Sequence, residues 1–81
     1  MTRADKRLDS MRQNPRGDWR IDDLKTVAQR IGMRVRESGG SHVGFSHPSS
    51  ATVLTVPARR PIKPVYIRMF VDLVDEVSES P

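Results

Sequence analysis

Eighty-one residues, 36% hydrophobic and 5% aromatic, supply one small core and not two, because a chain this short buries only about 60% of the surface its unfolded form exposes. The absence of cysteine excludes a disulfide scaffold and a cysteine-based zinc site, and it fits a reducing cytosol. Fourteen Lys and Arg against ten Asp and Glu leave a formal charge of +4, which favours an anionic partner without choosing among nucleic acid, an acidic protein and a membrane surface.

Residues 3–13 read as a short polar helix, with Leu8 and Met11 three apart on one face. The turn cluster Asn14-Pro15-Arg16-Gly17-Asp18 ends it. Residues 21–31 read as the first core helix, because Ile21, Leu24, Val27, Ala28 and Ile31 recur at helical spacing. Asp22 and Asp23 suit the positive end of its dipole, Gly32 is its expected stop, and Trp19 is expected to pack over its entry. Three strand-like runs follow: Met33–Glu37, His42–His47 and Thr52–Pro57, with Pro48-Ser49-Ser50 as the turn between the last two. Ala58 to Lys63 is a basic, proline-containing loop. Pro64 opens a final helix over 64–77, where its missing N–H costs nothing, and Tyr66, Phe70, Leu73, Val74 and Val77 form its apolar face. The expected architecture is α+β: a three-stranded antiparallel sheet with helices packed on one face, in the order α-α-β-β-β-α. With no internal repeat, residues 1–81 read as one domain, with 1–20 as a helical extension to a core of 21–77.

The charge is unevenly placed. Residues 24–70 carry eight basic side chains and one acid, Glu37, a local charge of +7, whereas residues 71–81 carry four acids and no base. Such a middle segment can bind phosphates through charge and counterion release; a solvated surface of arginines is the plainer alternative. No membrane span is expected. Ser38 to Ala58 is free of charge but holds five serines and three glycines, with no apolar run near the roughly 20 residues a span requires. Residues 1–7 lack the apolar segment of a signal peptide, so the expected location is the cytoplasm.

The register of the first hairpin decides which side chains share a surface. A two-residue Gly39-Gly40 turn leaves both faces half apolar. A three-residue Ser38-Gly39-Gly40 loop pairs Glu37 with Ser41, Val35 with Val43 and Met33 with Phe45, and turns all four apolar side chains toward the helices. The open face then shows Arg36 opposite His42 and Arg34 opposite Gly44, a histidine between two arginines. Histidine exchanges a proton near neutral pH, and guanidinium groups offer fixed donors to phosphate oxygens. On RNA, such a base can deprotonate the 2′-hydroxyl for attack on the adjacent phosphate with no metal, while arginine stabilises the developing charge.

Gly39-Gly40-Ser41-His42-Val43-Gly44-Phe45-Ser46-His47-Pro48, followed by Thr55-Val56-Pro57, resembles the HicA (YcfA-like) family of mRNA interferase toxins over about residues 21–77. The resemblance implies a fold like a double-stranded-RNA-binding domain. It implies an endoribonuclease that cleaves mRNA and halts translation, as the toxin of a toxin–antitoxin system, with no cofactor. It places the family's catalytic histidine at His42 and names a HicB-like antitoxin as protein partner, covering the histidine face. Many members carry a second histidine directly after the first; here that position is Val43, which the expected register turns into the core.

Around His42, the expected RNA contacts are Arg34, Arg36, Ser41, Arg59, Arg60, Lys63 and, from the last helix, Arg68. Each has a plainer reading: the arginines as solvated surface, the serines as partners of nearby backbone. His47 falls on the core side by strand parity, where capping or packing is expected. The Gly39-Gly40 pair is most simply hairpin geometry, and two histidines facing opposite ways do not make a metal site. Trp19, Phe45, Tyr66 and Phe70 all fit core positions, so no stacking platform for bases is expected. A small RNA-binding module without catalysis, or a module whose basic face docks an acidic protein, are the rival readings.

Overall fold

The computed structural model describes residues 3–37 and 40–79. Three helices and three strands follow in the order α1 (Arg3–Gln13), α2 (Ile21–Arg30), β1 (Arg34–Glu37), β2 (His42–Ser46), β3 (Val53–Pro57) and α3 (Pro64–Glu79). The strands form one antiparallel sheet in the order β1-β2-β3. Helix α2 packs against β1 and α3 against β3, while α1 lies against both helices. The fold is α+β with its helices on one face of the sheet, as the patterning predicts.

Both ends of α2 have a local cause. At the start of α2 the Arg20 N–H donates to Asp23 Oδ2 at 2.9 Å, which satisfies one of the donors a helix start leaves over. At its end Gly32 takes φ 76°, the left-handed region that lacks a penalty only for glycine. The Met33 N–H then reaches back to the Ala28 carbonyl at 2.9 Å and the Gly32 N–H to that of Gln29 at 3.4 Å, the paired bonds of a Schellman stop. Met33 and Ala28 are both buried, so the stop also delivers the chain into β1 with an apolar contact beneath it.

The core lies between the sheet and the helices. Val43, Phe45, Leu54 and Val56 project from the strands, and Leu24, Val27, Ile67, Phe70 and Val74 from α2 and α3. Phe45 and Phe70 meet edge to face, with ring centroids 5.2 Å apart and planes at 68°, the arrangement an aromatic quadrupole prefers. The N-terminal helix is more than an extension. Met11 is completely buried, and Leu8 and Trp19 pack against the same cluster. Polar links reinforce it: Arg7 Nε lies 3.3 Å from Asp23, and Arg12 donates twice to Asp75 on α3, at 2.5 and 2.8 Å. The Trp19 ring donates to the Asn14 carbonyl at 2.8 Å, and its own carbonyl accepts the Ile62 N–H at 2.8 Å. Residues 14–20 thus tie α1 to the loop that leads into α3.

The hairpin register differs from the expected one by two residues. Glu37 pairs with Val43, Val35 with Phe45, Arg36 with Gly44 and Arg34 with Ser46. The physical reason is that a two-residue slip conserves face parity. Both registers bury the same apolar side chains, so hydrophobic patterning cannot separate them. The observed pairing sets Val35 beside Phe45 over the core and accompanies an ion pair between Glu37 and Lys25 of α2. Of the predicted Ser38-Gly39-Gly40 loop, Ser38 and Gly39 lie outside the described residues.

Candidate nucleic-acid interface

Strand alternation gives the open face of the sheet Arg34 and Arg36 from β1, His42, Gly44 and Ser46 from β2, and Val53, Thr55 and Pro57 from β3. None is acidic. Arg34, Arg36, His42 and Thr55 are exposed. Among the described residues the side chains of Arg34, Arg36 and His42 have no hydrogen-bond or ion-pair partner. In contrast, Arg7, Arg12 and Lys25, toward the helices, are each paired with a carboxylate.

The observed register corrects the expected grouping. His42 does not lie between two arginines. It ends the row, diagonal to Arg36, at a spacing of about 7–8 Å for such neighbours, and Arg34 stands two positions further along. On its other side His42 pairs with Pro57 of β3. Gly44 lies between these groups. A Cβ built there meets the Arg36 carbonyl oxygen at 3.7 Å and the Arg36 Cβ at 4.0 Å, ordinary contacts, and the backbone has no positive φ there. The chain's own packing accepts a larger residue, so the glycine's effect is on the exposed surface, which it keeps low beside His42.

Pro57 also forms one wall of a cleft of about 420 Å³ with Arg59, Arg60, Pro61, Lys63 and Tyr66. The strand pairing therefore brings His42 and the basic loop to the same end of the sheet. The three cations of that loop are not equivalent. Arg60 donates to both oxygens of Asp18, at 3.0 and 2.5 Å, and those hydrogen bonds hold the Asp18 carboxyl below its ordinary value. Arg59 and Lys63 are exposed and, among the described residues, their side chains are unpaired. Arg60 thus anchors the loop to the Trp19 segment, and Arg59 and Lys63 remain for an anion.

Two other expected contacts are placed differently. Arg68 borders a cavity of about 230 Å³ with Met11, Arg12, Pro15 and Asp72, between α1 and α3. It belongs to the helical layer and does not share the open face, because a position on α3 turned toward α1 is turned from the sheet. Ser41 is exposed just before β2, where its carbonyl accepts the Ala58 N–H at 2.5 Å, so its main chain joins the hairpin to the basic loop. His47 serves the turn after β2: its Nδ1 accepts the Ser49 N–H at 3.0 Å. Among the described residues no group of three His, Cys, Asp or Glu side chains could hold a metal, and no helix is long and apolar enough to cross a membrane.

Tyr66 packs against the core from the face of α3 that its helical spacing predicts, but it sits on the first turn, at the margin of that face, where it is half-buried and borders the cleft, a place the spacing does not reveal. The available signal was its position at the start of α3, three residues after Lys63 of the basic loop, with which it borders the cleft. Comparison with protein-family models, with curated proteins and with solved structures gives no match to this chain.

Proposed function

We propose that this protein is an endoribonuclease that cleaves mRNA in the cytoplasm without a metal, with His42 as general acid/base. In this reading it is the toxin of a toxin–antitoxin pair, held inactive by a HicB-like protein that covers the histidine face. One observation carries the chemistry: an exposed imidazole on an acid-free sheet face, with unpaired guanidiniums at Arg34 and Arg36 on one side and a cationic cleft on the other. The imidazole takes the proton of a ribose 2′-hydroxyl. The 2′-oxygen attacks the adjacent phosphorus, the bond to the 5′-oxygen breaks, and that oxygen receives a proton from His42 or water. Arg36, the nearer guanidinium on the sheet, offers donors to the phosphate oxygens as charge builds. The low surface over Gly44 gives a phosphodiester backbone room to approach.

A non-catalytic RNA-binding module is the second reading. One observation favours it: among the described residues nothing hydrogen-bonds the His42 ring to fix its tautomer, as an orienting partner does in many general bases. Labelled single-stranded RNA incubated with EDTA separates the two. His42→Ala is expected to lower the cleavage rate by about 100- to 10,000-fold, the usual worth of general acid–base catalysis, and to leave RNA binding in place. A variant that cuts at the native rate refutes the role of His42, and a native protein that binds RNA without producing fragments selects the second reading.

A further inference from the structure

The cleft beside Pro57 has a composition that phosphate binding alone does not explain. Two unpaired cations, Arg59 and Lys63, would serve a phosphate on any exposed loop. Here they border a half-open cleft together with an aromatic ring, Tyr66, and the prolines Pro57 and Pro61. At about 420 Å³ the space lies within the range of about 300–1,000 Å³ typical of small-ligand sites. Another depression of similar size, lined by Ser10, Gln13, Asn14, Asp18 and Trp19, has no basic side chain and so lacks the charge for a nucleotide.

From this we infer that the cleft is a nucleotide subsite, in which one unpaired base of the RNA stacks on Tyr66 while Arg59 and Lys63 hold its phosphate. The inference rests on the proposed action on RNA and adds to it a residue that reads the base. Three features make the assignment. Tyr66 is half-buried against the core, so its ring is held in place and loses little freedom on binding. Arg60 is already committed to Asp18, which braces the loop wall and leaves only the two flanking cations for the ligand. Pro57 is the strand partner of His42, so a nucleotide in the cleft adjoins the position at which the proposed chemistry acts. A base so held positions the neighbouring phosphate over the Gly44 side of the sheet. An acidic peptide satisfies the same cations and gains nothing from the ring, which is what the test exploits.

The experiment uses the full chain carrying His42→Ala, so that binding is read without cleavage. Its probes are a single-stranded hexaribonucleotide, the same oligomer with abasic sites, and a poly-glutamate peptide. Tyr66→Leu in that background, which keeps an apolar side chain against the core, is expected to weaken the intact oligomer by about 5- to 150-fold, the equivalent of the roughly 1–3 kcal/mol of one base–aromatic stack. Tyr66→Phe is expected to bind like the parent, and the abasic oligomer is expected to bind all three proteins alike. Thermal unfolding of each variant checks that the core is intact. Equal binding of the intact oligomer by the Leu variant and its parent, or competition by poly-glutamate that matches the intact oligomer, overturns the subsite. The proposed cleavage is judged separately, on the protein with His42 restored: fragments formed at equal rates by Tyr66→Leu and the native chain leave the nuclease reading standing and the subsite refuted, whereas Tyr66-dependent binding without fragments does the reverse. Absence of any RNA binding at low salt overturns both.

Discussion

Replacing Met11 with Ala tests whether the N-terminal helix belongs to the core. Met11 is completely buried and shares a cavity wall with Pro15, Arg68 and Val71. Truncation removes its three outer heavy atoms and leaves space that neighbouring helices only partly fill. Losses of this kind cost about 2–5 kcal/mol, and a loss of about 3 kcal/mol is a large part of the roughly 4–12 kcal/mol available to a domain of this size. Because each kcal/mol moves the midpoint of a 60- to 100-residue domain by about 4–8 °C, the expected fall in Tm is about 12–24 °C. Thermal unfolding followed by far-UV circular dichroism reads it, with Gln13→Ala, on an exposed position of the same helix, as the control. The control is expected to stay within about 0.5 kcal/mol of the native protein. A Met11→Ala variant that melts within about 2 °C of the native chain would show that α1 is not packed as described, and with it the bracing of the basic loop through Trp19 and Asp18 would lose its foundation.

Two further predictions follow from the charge arrangement. Two hydrogen bonds from Arg12 hold the Asp75 carboxyl below its ordinary value, against a smaller opposing effect of burial. A depressed carboxylate stabilises the fold fully above its unfolded-state value of about 3.9, and this is lost as the pH falls through the lower folded-state value. Asp75→Asn is therefore expected to be less stable than the native protein at pH 7 and to converge with it as the titration passes below pH ~3.9. The gap is no more than about 1 kcal/mol because both side chains are more than a third exposed; urea unfolding across that range checks it, and a gap that does not depend on pH contradicts the pairing. The second concerns the open face. Arg34→Ala with Arg36→Ala, measured in the His42→Ala background, is expected to flatten the dependence of RNA affinity on salt by about 1.4 in the log–log slope, two phosphate contacts' worth on a single strand. An unchanged slope removes both arginines from the interface.

Element order, layer architecture and the side of the sheet on which each residue falls are legible in the chain alone. These follow from periodicities of 3.6 and 2 and from local signals such as Gly32 and Pro64, all of which act over a few neighbouring residues. His42, Arg34 and Arg36 could therefore be assigned to one open face without coordinates. What parity leaves degenerate is resolved only in the packed fold. The two-residue shift between β1 and β2, which moves His42 from its place opposite Arg36 to the end of the row, preserves every buried apolar side chain and is invisible to hydrophobic patterning; the separate pairing of β2 with β3 sets His42 beside Pro57. The same holds for ion pairs between residues distant in sequence. Arg59, Arg60 and Lys63 look alike in the chain, yet only Arg60 meets Asp18, 42 positions away, and only the packing of α3 turns Arg68 toward α1 while leaving Tyr66 at the rim of a cleft. Local sequence sets which face a residue occupies; which neighbour it has across that face depends on long-range pairing, where several arrangements share one hydrophobic pattern and the contacts of the whole fold select among them.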